Sequence, residues 1–358
     1  MPQLSPRQWA IVGGVAAVVV VVIAAIALAG GGGDEPEATT TTTSTTTTST
    51  TTTAPVETGY PLTGLPIDDP ARAAQPALAV KIDNAEPRRG RGGRPQAGIN
   101  AADVVYEEMV EGSVTRFLAL FHSTDADPVG PVRSARTTDL LLMGPLNRPL
   151  FAWSGANTGV AGAVRGAPVV DIGYDVASGA YNRAGDRPAP YNLMSSTGAL
   201  RGAAPGEERP PPALFAYRGE GEQPGGRPVE SVRIVFGDGP GSAPVEYRWD
   251  GQGWARTQRD TPHVDASGQQ VAPPNVVIQF TPYAEVQCCD ASGFPIVEAQ
   301  LKGEGDAWIL TGGRLVEARW SRPGDADVTA YTVDGDPVGL TRGRTWVAIA
   351  PPGSAEAR

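Results

Sequence analysis

From Trp9 to Leu28 the chain runs through twenty apolar or small residues without a charge. At about 1.5 Å rise per residue, a helix of that length spans about 30 Å, the thickness of a bilayer's hydrocarbon core. Val and Ile fill the run and are poor helix formers in water. A bilayer overrides that preference, because every backbone N–H and C=O must pair within the segment. Arg7 precedes the run, and Asp34, Glu35 and Glu37 follow it. The positive-inside rule then places residues 1–8 in the cytoplasm and everything after Gly30 outside. Ala27-Leu-Ala29 also fits a signal-peptidase pattern, but a signal core is usually about 7–15 residues, shorter than this run. No Cys lies near its end, so the span itself is the expected anchor. A single-pass cell-membrane protein with its bulk extracytoplasmic is expected. Thr39 to Thr53 contains only Thr and Ser. Such a segment has nothing apolar to bury against the entropy of ordering, so 29–58 read as a disordered tether.

Charge and rare residues narrow the functional classes. The net charge of −10 is opposite to the basic footprint of a duplex-binding protein, so no nucleic-acid partner is expected. Two Cys and two His are too few for a disulfide scaffold, a Cys-type zinc site or a multi-His centre. No metal and no cofactor is expected.

Beyond the tether the pattern predicts an α+β protein with a mixed α/β lobe and a mainly antiparallel β lobe. Residues 59–202 alternate strand and helix signals, as a sheet covered by helices does. Ala77–Ile82, Thr115–Phe121, Leu150–Trp153 and Val169–Ile172 read as strands. Ala135–Met143 reads as a helix ended or kinked by Pro145, and Asn157 as the cap of another. Ala102–Glu111 fits either type. Pro, Gly, Glu and Arg crowd 203–228, the expected linker. In 229–351 short β-type runs recur between turn signals, with hairpin turns at Asp250-Gly251 and Asp334-Gly335.

The polar residues beyond predicted strand ends are the candidate site, since ligands of such sheets sit there. Asp83-Asn84 ends the first strand, and Arg133-Ser134-Ala-Arg136 opens a helix. Two guanidiniums three residues apart near a helix start suit an anion, carboxylate or phosphate. The competing arrangement pairs both arginines internally with Asp83, Asp103, Glu107 or Glu111. The acids Asp103, Glu107, Glu108 and Glu111 also fit a two-carboxylate hydrolase or an oxygen-ligand site, or a solvated face. Ser134 as a nucleophile requires a base such as His122 in reach. His263 reads as structural or merely exposed. Arg88-Arg-Gly-Arg91-Gly-Gly-Arg94 is a basic loop, either solvated and flexible or suited to anionic lipid or wall polymer, in which Arg94, next to Pro95-Gln96, differs in role from the others. Cys288-Cys289 is either a strained local disulfide or two thiols.

Several ordered motifs resemble the YerB-like lipoproteins: Pro61-Leu-Thr-Gly-Leu65, Val80-Lys-Ile-Asp-Asn84, Arg94-Pro-Gln96, Ala102-Asp-Val-Val-Tyr-Glu107, Glu111-Gly-Ser-Val-Thr-Arg-Phe-Leu118, Gly130-Pro-Val-Arg-Ser-Ala-Arg136 and Ala189-Pro-Tyr-Asn-Leu193. His263-Val-Asp265 and Asn275-Val-Val-Ile-Gln279 extend the resemblance to roughly 60–351. It implies a bacterial envelope location and N- and C-terminal domains, with no established activity. Two departures stand out. The family carries a lipidated Cys, and it often has His where this chain has Trp153 and Tyr191. Arg133, Ser134, Arg136 and Asn192 are retained. The expected function is therefore binding of an anionic envelope ligand by Arg133, Ser134 and Arg136, oriented by Asp83, Asn84 and Asn192. No catalytic residue is assigned. The rivals are a hydrolase or transferase on wall glycan or peptide through Asp103, Glu107 or Glu111, and a scaffold docking envelope proteins through its β lobe.

Overall fold

The structure, a computed structural model, describes residues 59–87, 91–206, 209–287 and 293–358. The expected span 9–28, the tether and Cys288-Cys289 lie outside them. Among the described residues no helix is long and apolar enough to cross a membrane. The described residues all fall in one compact unit. It is a mixed structure, dominated by strands in several sheets.

The main sheet has twelve strands. Numbered along the chain, they are β1 (Leu78–Asp83), β2 (Val104–Met109), β3 (Thr115–Phe121), β4 (Leu150–Ala152), β5 (Val170–Asp171), β6 (Asn275–Phe280), β7 (Gly303–Thr311), β8 (Arg314–Arg322), β9 (Ala330–Val333), β10 (Asp336–Pro337) and β11 (Thr345–Ala350). Arg227–Pro228 adds a short strand on β8. The order across the sheet is β10-β9-β8-β7-β6-β11-β2-β3-β1-β4-β5. The two halves of the sequence therefore share one sheet, where two lobes were expected. The reason is β11, which returns from the end of the chain and inserts between β2 and β6. It runs parallel to both, with Val347 opposite Tyr106 on one side and Val277 on the other. Every residue of β11 is buried, as a strand covered on both faces must be.

One face of the sheet packs on a second, antiparallel sheet of 231–234, 245–249, 254–258, 261–262 and 355–357. There Val80, Val105, Phe117, Ile278 and Trp346 join Val232, Tyr247 and Trp254 in a single cluster. The other face packs on helices α1 (Thr137–Met143) and α2 (Thr158–Gly166). Ala79, Tyr106, Leu118 and Val347 meet Leu142, Met143, Val160 and Val164 there. The α2 start follows the cap expected from sequence, with Asn157 Oδ1 accepting from Val160 N at 2.8 Å. Asp334 and Gly335 both have positive φ, 52° and 94°, which the two-residue turn between β9 and β10 demands. The ambiguous stretch 102–111 is strand β2, and its two central acids are buried on opposite faces.

Trp346 is 2% exposed. Its ring meets Phe117 edge-on at 4.9 Å, so it lies where both halves and both layers converge. Trp346→Ala is expected to lower stability by about 3–5 kcal/mol. Denaturant unfolding followed by fluorescence and circular dichroism should show one transition. A separately melting second half would contradict the shared core.

Candidate functional site

Pleat alternation sorts the polar residues at the end of β1. Lys81 and Asp83 point to the helix face, joined by Glu108 from β2 and Arg116 from β3, since Arg116 stands opposite both Asp83 and Glu108 in register. The segment 131–135 is fixed alongside. Asp83 N donates to Pro131 O at 3.0 Å, Arg133 N to Lys81 O at 2.8 Å and Ala135 N to Gly155 O at 3.1 Å. Arg136 then stands at the start of α1, where its backbone N–H donates to Asp139 Oδ2 at 2.7 Å.

This placement brings four of the six expected site residues together. Arg133 Nε donates to Asp83 Oδ2 at 2.5 Å, and its guanidinium lies 5.4 Å from the Tyr191 ring centre. Arg136 is gripped by Glu111 through Nε and Nη2 at 2.5 and 2.6 Å. That grip is one of the internal pairings the sequence left open: Arg136 is buried and holds its segment to Glu111. The Ser134 carbonyl accepts from Arg116 Nη1 at 3.4 Å and from Arg136 Nη1 at 3.5 Å. Asn84 and Asn192 do not join the group. Asn84 follows Asp83 and so faces the other way, donating to Thr115 Oγ1 at 2.7 Å and Gln258 Oε1 at 3.1 Å. The Asn192 amide is taken up by Arg183 at 2.8 Å and the Ala184 carbonyl at 3.2 Å.

Arg116 is the member that sequence reasoning missed. A charged residue inside an apolar strand run was its only local signal. It is half-buried, and among the described residues its guanidinium meets only the long contact to Ser134 O. Burial first, and then the Arg136 guanidinium, push it down to about 10. Behind it lies a fully buried group of Lys81, Glu108 and Asp139. Lys81 Nζ bonds Glu108 Oε1 and, at 2.8 Å, Asp139 Oδ1. Glu108 Oε2 has no partner among the described residues. Burial, with Asp139 as the nearest like charge, pushes the Glu108 carboxyl up to about 7.

The remaining candidates are structural. Glu107 faces the second sheet and accepts from Arg256 Nη2 at 2.7 Å, Thr115 Oγ1 at 2.9 Å and Trp346 Nε1 at 3.0 Å. Asp103 Oδ2 accepts from the backbone of His122 and Ser123 at 2.5 and 2.7 Å. His122 Nε2 bonds the Gln75 carbonyl at 3.0 Å, away from Ser134, and burial pushes its ring down to about 4. Among the described residues no three His, Cys, Asp or Glu are grouped to hold a metal. What the helix-face cluster offers chemically is cationic hydrogen-bond donors at a sheet end, which suits anion binding.

Compared with known proteins, residues 62–209 match the N-terminal domain, and 232–347 the C-terminal domain, of a family described as "Protein of unknown function (DUF3048)". The chain is 28% identical over 309 residues to "Putative lipoprotein YerB" of Bacillus subtilis, covering 81% of this chain and 86% of that protein. It is also similar to the crystal structure of the YerB protein from Bacillus subtilis, with a TM-score of 0.70 and 24% identity. That match covers 84% of this chain and 99% of the other, and shows a shared fold.

The raised Glu108 carboxyl makes a pH prediction. The folded state holds this proton more tightly than the unfolded state, whose carboxyl has the ordinary value of 4.5. The associated stability is therefore full below about 4.5 and lost as pH rises through about 7. Thermal melts of wild type and Glu108→Gln from pH 4 to 8 should show wild type losing ground steadily to the variant as pH rises. A constant difference would overturn the assignment.

Proposed function

The chain belongs to the DUF3048 family through both of its domains, and from that premise we propose that it is a membrane-anchored envelope protein that binds an anionic ligand at the helix-face arginines. Its Bacillus relative carries the name "Putative lipoprotein YerB", which supports an envelope location for this chain. Here the run Trp9–Leu28 supplies the anchor in place of a lipid, and the charges around it orient the folded unit outward.

Arg116 is the observation that carries the binding reading. Arg133 has Asp83 and Arg136 has Glu111, whereas Arg116, close enough to feel both guanidiniums, has spare donors. A half-buried cation in that position gains a partner when an anion arrives. Arg133, braced at Nε and about a fifth exposed along its side chain, is the group through which a ligand first makes contact. Asp83 and Tyr191 hold its plane. Asp103, Glu107 and Glu111, the acids of the hydrolytic alternative, have their oxygens committed to structural bonds.

Thermal shift of residues 55–358 tests this, using inorganic phosphate, glycerol 3-phosphate and acetate as probes. An anion at about 100 times its Kd adds about 2.7 kcal/mol, a rise of several degrees for a unit of this size. Wild type should show that rise, and still-folded Arg133→Ala and Arg116→Gln should lose most of it. An equal rise in wild type and both variants, or none with any probe, sinks the reading.

A further inference from the structure

Two arginines of the basic run, Arg91 and Arg94, are among the described residues, and they face different surroundings. Arg91 is exposed, but Arg94 turns inward, with only 10% of its side chain exposed. Gly93 makes that turn available. A Cβ there would stand 2.7 Å from the Asp83 Cβ, so only glycine lets the loop press against the end of β1. Arg94 and Glu86 then line a cavity of about 330 Å³, walled by Pro87, Pro95, Pro262 and Val264 with Thr261 and His263 alongside. The cavity joins the two halves of the sequence. His263 stacks on Phe117 with ring centres 5.9 Å apart, which puts it on the sheet face opposite to Arg116.

Charge in this cavity is unbalanced. Arg94 Nε is buried and has no hydrogen-bond partner among the described residues. Its Nη2 stands 3.5 Å from Glu86 Oε1, while Glu86 Oε2 lies 3.0 Å from Arg259 Nε. One carboxylate thus stands between two guanidiniums. His263 adds no charge: its Nδ1 faces the Arg256 guanidinium at 2.7 Å and so accepts, and its Nε2–H donates to Gln96 Oε1 at 2.8 Å. Burial, then Arg256 and Arg94, hold the ring neutral. Burial and the Arg256 guanidinium also push Arg94 down to about 10. Arg256 itself is matched by Glu107. Among the described residues one positive charge is left over, against walls of proline rings.

We propose that this cavity binds a monocarboxylate on a small apolar frame, such as the C-terminus of a short peptide, with the Arg94 guanidinium as its fork. A single surplus cation matches a single negative charge. A doubly charged phosphate would leave an unmatched negative charge beside Glu86. The proline walls suit the apolar frame, and the cavity is at the small end of ligand-site volumes.

The full chain in detergent, labelled with 15N-histidine, provides the test, because it has two His and only His263 lines the cavity. N-acetyl-alanyl-alanine should shift the His263 ring signals saturably, with a Kd of about 1–10 mM. Its C-terminal amide and inorganic phosphate should not. The His122 signals should stay in place and report that the fold is intact. Arg94→Gln should abolish the shift, Arg94→Lys should weaken binding about tenfold, and Glu86→Gln should tighten it. Arg133→Ala should leave it unchanged, so that failure here is separate from failure of the helix-face site. No shift up to about 50 mM, an equal shift with the amide or with phosphate, or a shift that survives in folded Arg94→Gln overturns the proposal.

Discussion

The carboxylate of Glu107 is the point on which the architecture turns. It is fully buried on β2, from the first half of the chain, and its partners come from everywhere else. Arg256 belongs to the covering sheet, Trp346 to the last main-sheet strand and Thr115 to β3. Removing one member of such a buried pair strands the other charge, at about 3–5 kcal/mol, whereas replacing both with apolar groups is often harmless. The pair therefore specifies an arrangement more than it adds net stability. All of these donors converge on Glu107 in the observed stacking of the two sheets and register of β11.

The same alternation that sends Glu107 one way sends Glu108 the other. β1 does likewise with Asp83 and Asn84. Two polar layers consequently lie back to back across one sheet. The helix-face layer is charged and nearly balanced, with Lys81, Arg116, Arg133 and Arg136 set against Asp83, Glu108, Glu111 and Asp139. The layer beneath the second sheet is largely amide and aromatic around the Glu107–Arg256 pair, with Gln96, Gln258, Asn84 and His263 closing it. Each layer meets solvent near the end of β1. One does so through Arg133, the other through the Arg94 cavity.

Local chemistry made much of this legible. Thr115–Phe121, Val245–Trp249 and Asn275–Phe280 are continuous apolar or alternating runs bounded by turn residues, and they form strands with those limits. Asn157 and Asp334-Gly335 act through side-chain and dihedral preferences that need no tertiary context. Asp83 and Glu111 were foreseeable as arginine partners, because charge must be matched where apolar runs end. Tertiary pairing was not legible. Nothing in Thr345–Ala350 names Val104–Met109 or Asn275–Phe280 as its neighbours, since parallel pairing carries no local turn signal. Glu107-Glu108 made β2 ambiguous because adjacent acids ordinarily mark a solvated surface. Their burial depends on Arg256 and Lys81, which the fold alone brings near. Arg116 was concealed in the same way, as an isolated charge within a strand run.

The central position of β11 has a consequence for biogenesis. Synthesis delivers the chain from its N-terminus, so residues 345–350 arrive after every other strand of the main sheet. Until they do, β2 and β6 each present an open edge, and an open edge invites pairing with other chains. Glu107 meanwhile lacks the Trp346 indole. A molecule cut or stalled before residue 345 cannot close its sheet, however complete the earlier elements are. The fold thereby makes closure of the sheet depend on β11: a protease would meet a chain cut before it with two open strand edges, and one that includes it as a closed core.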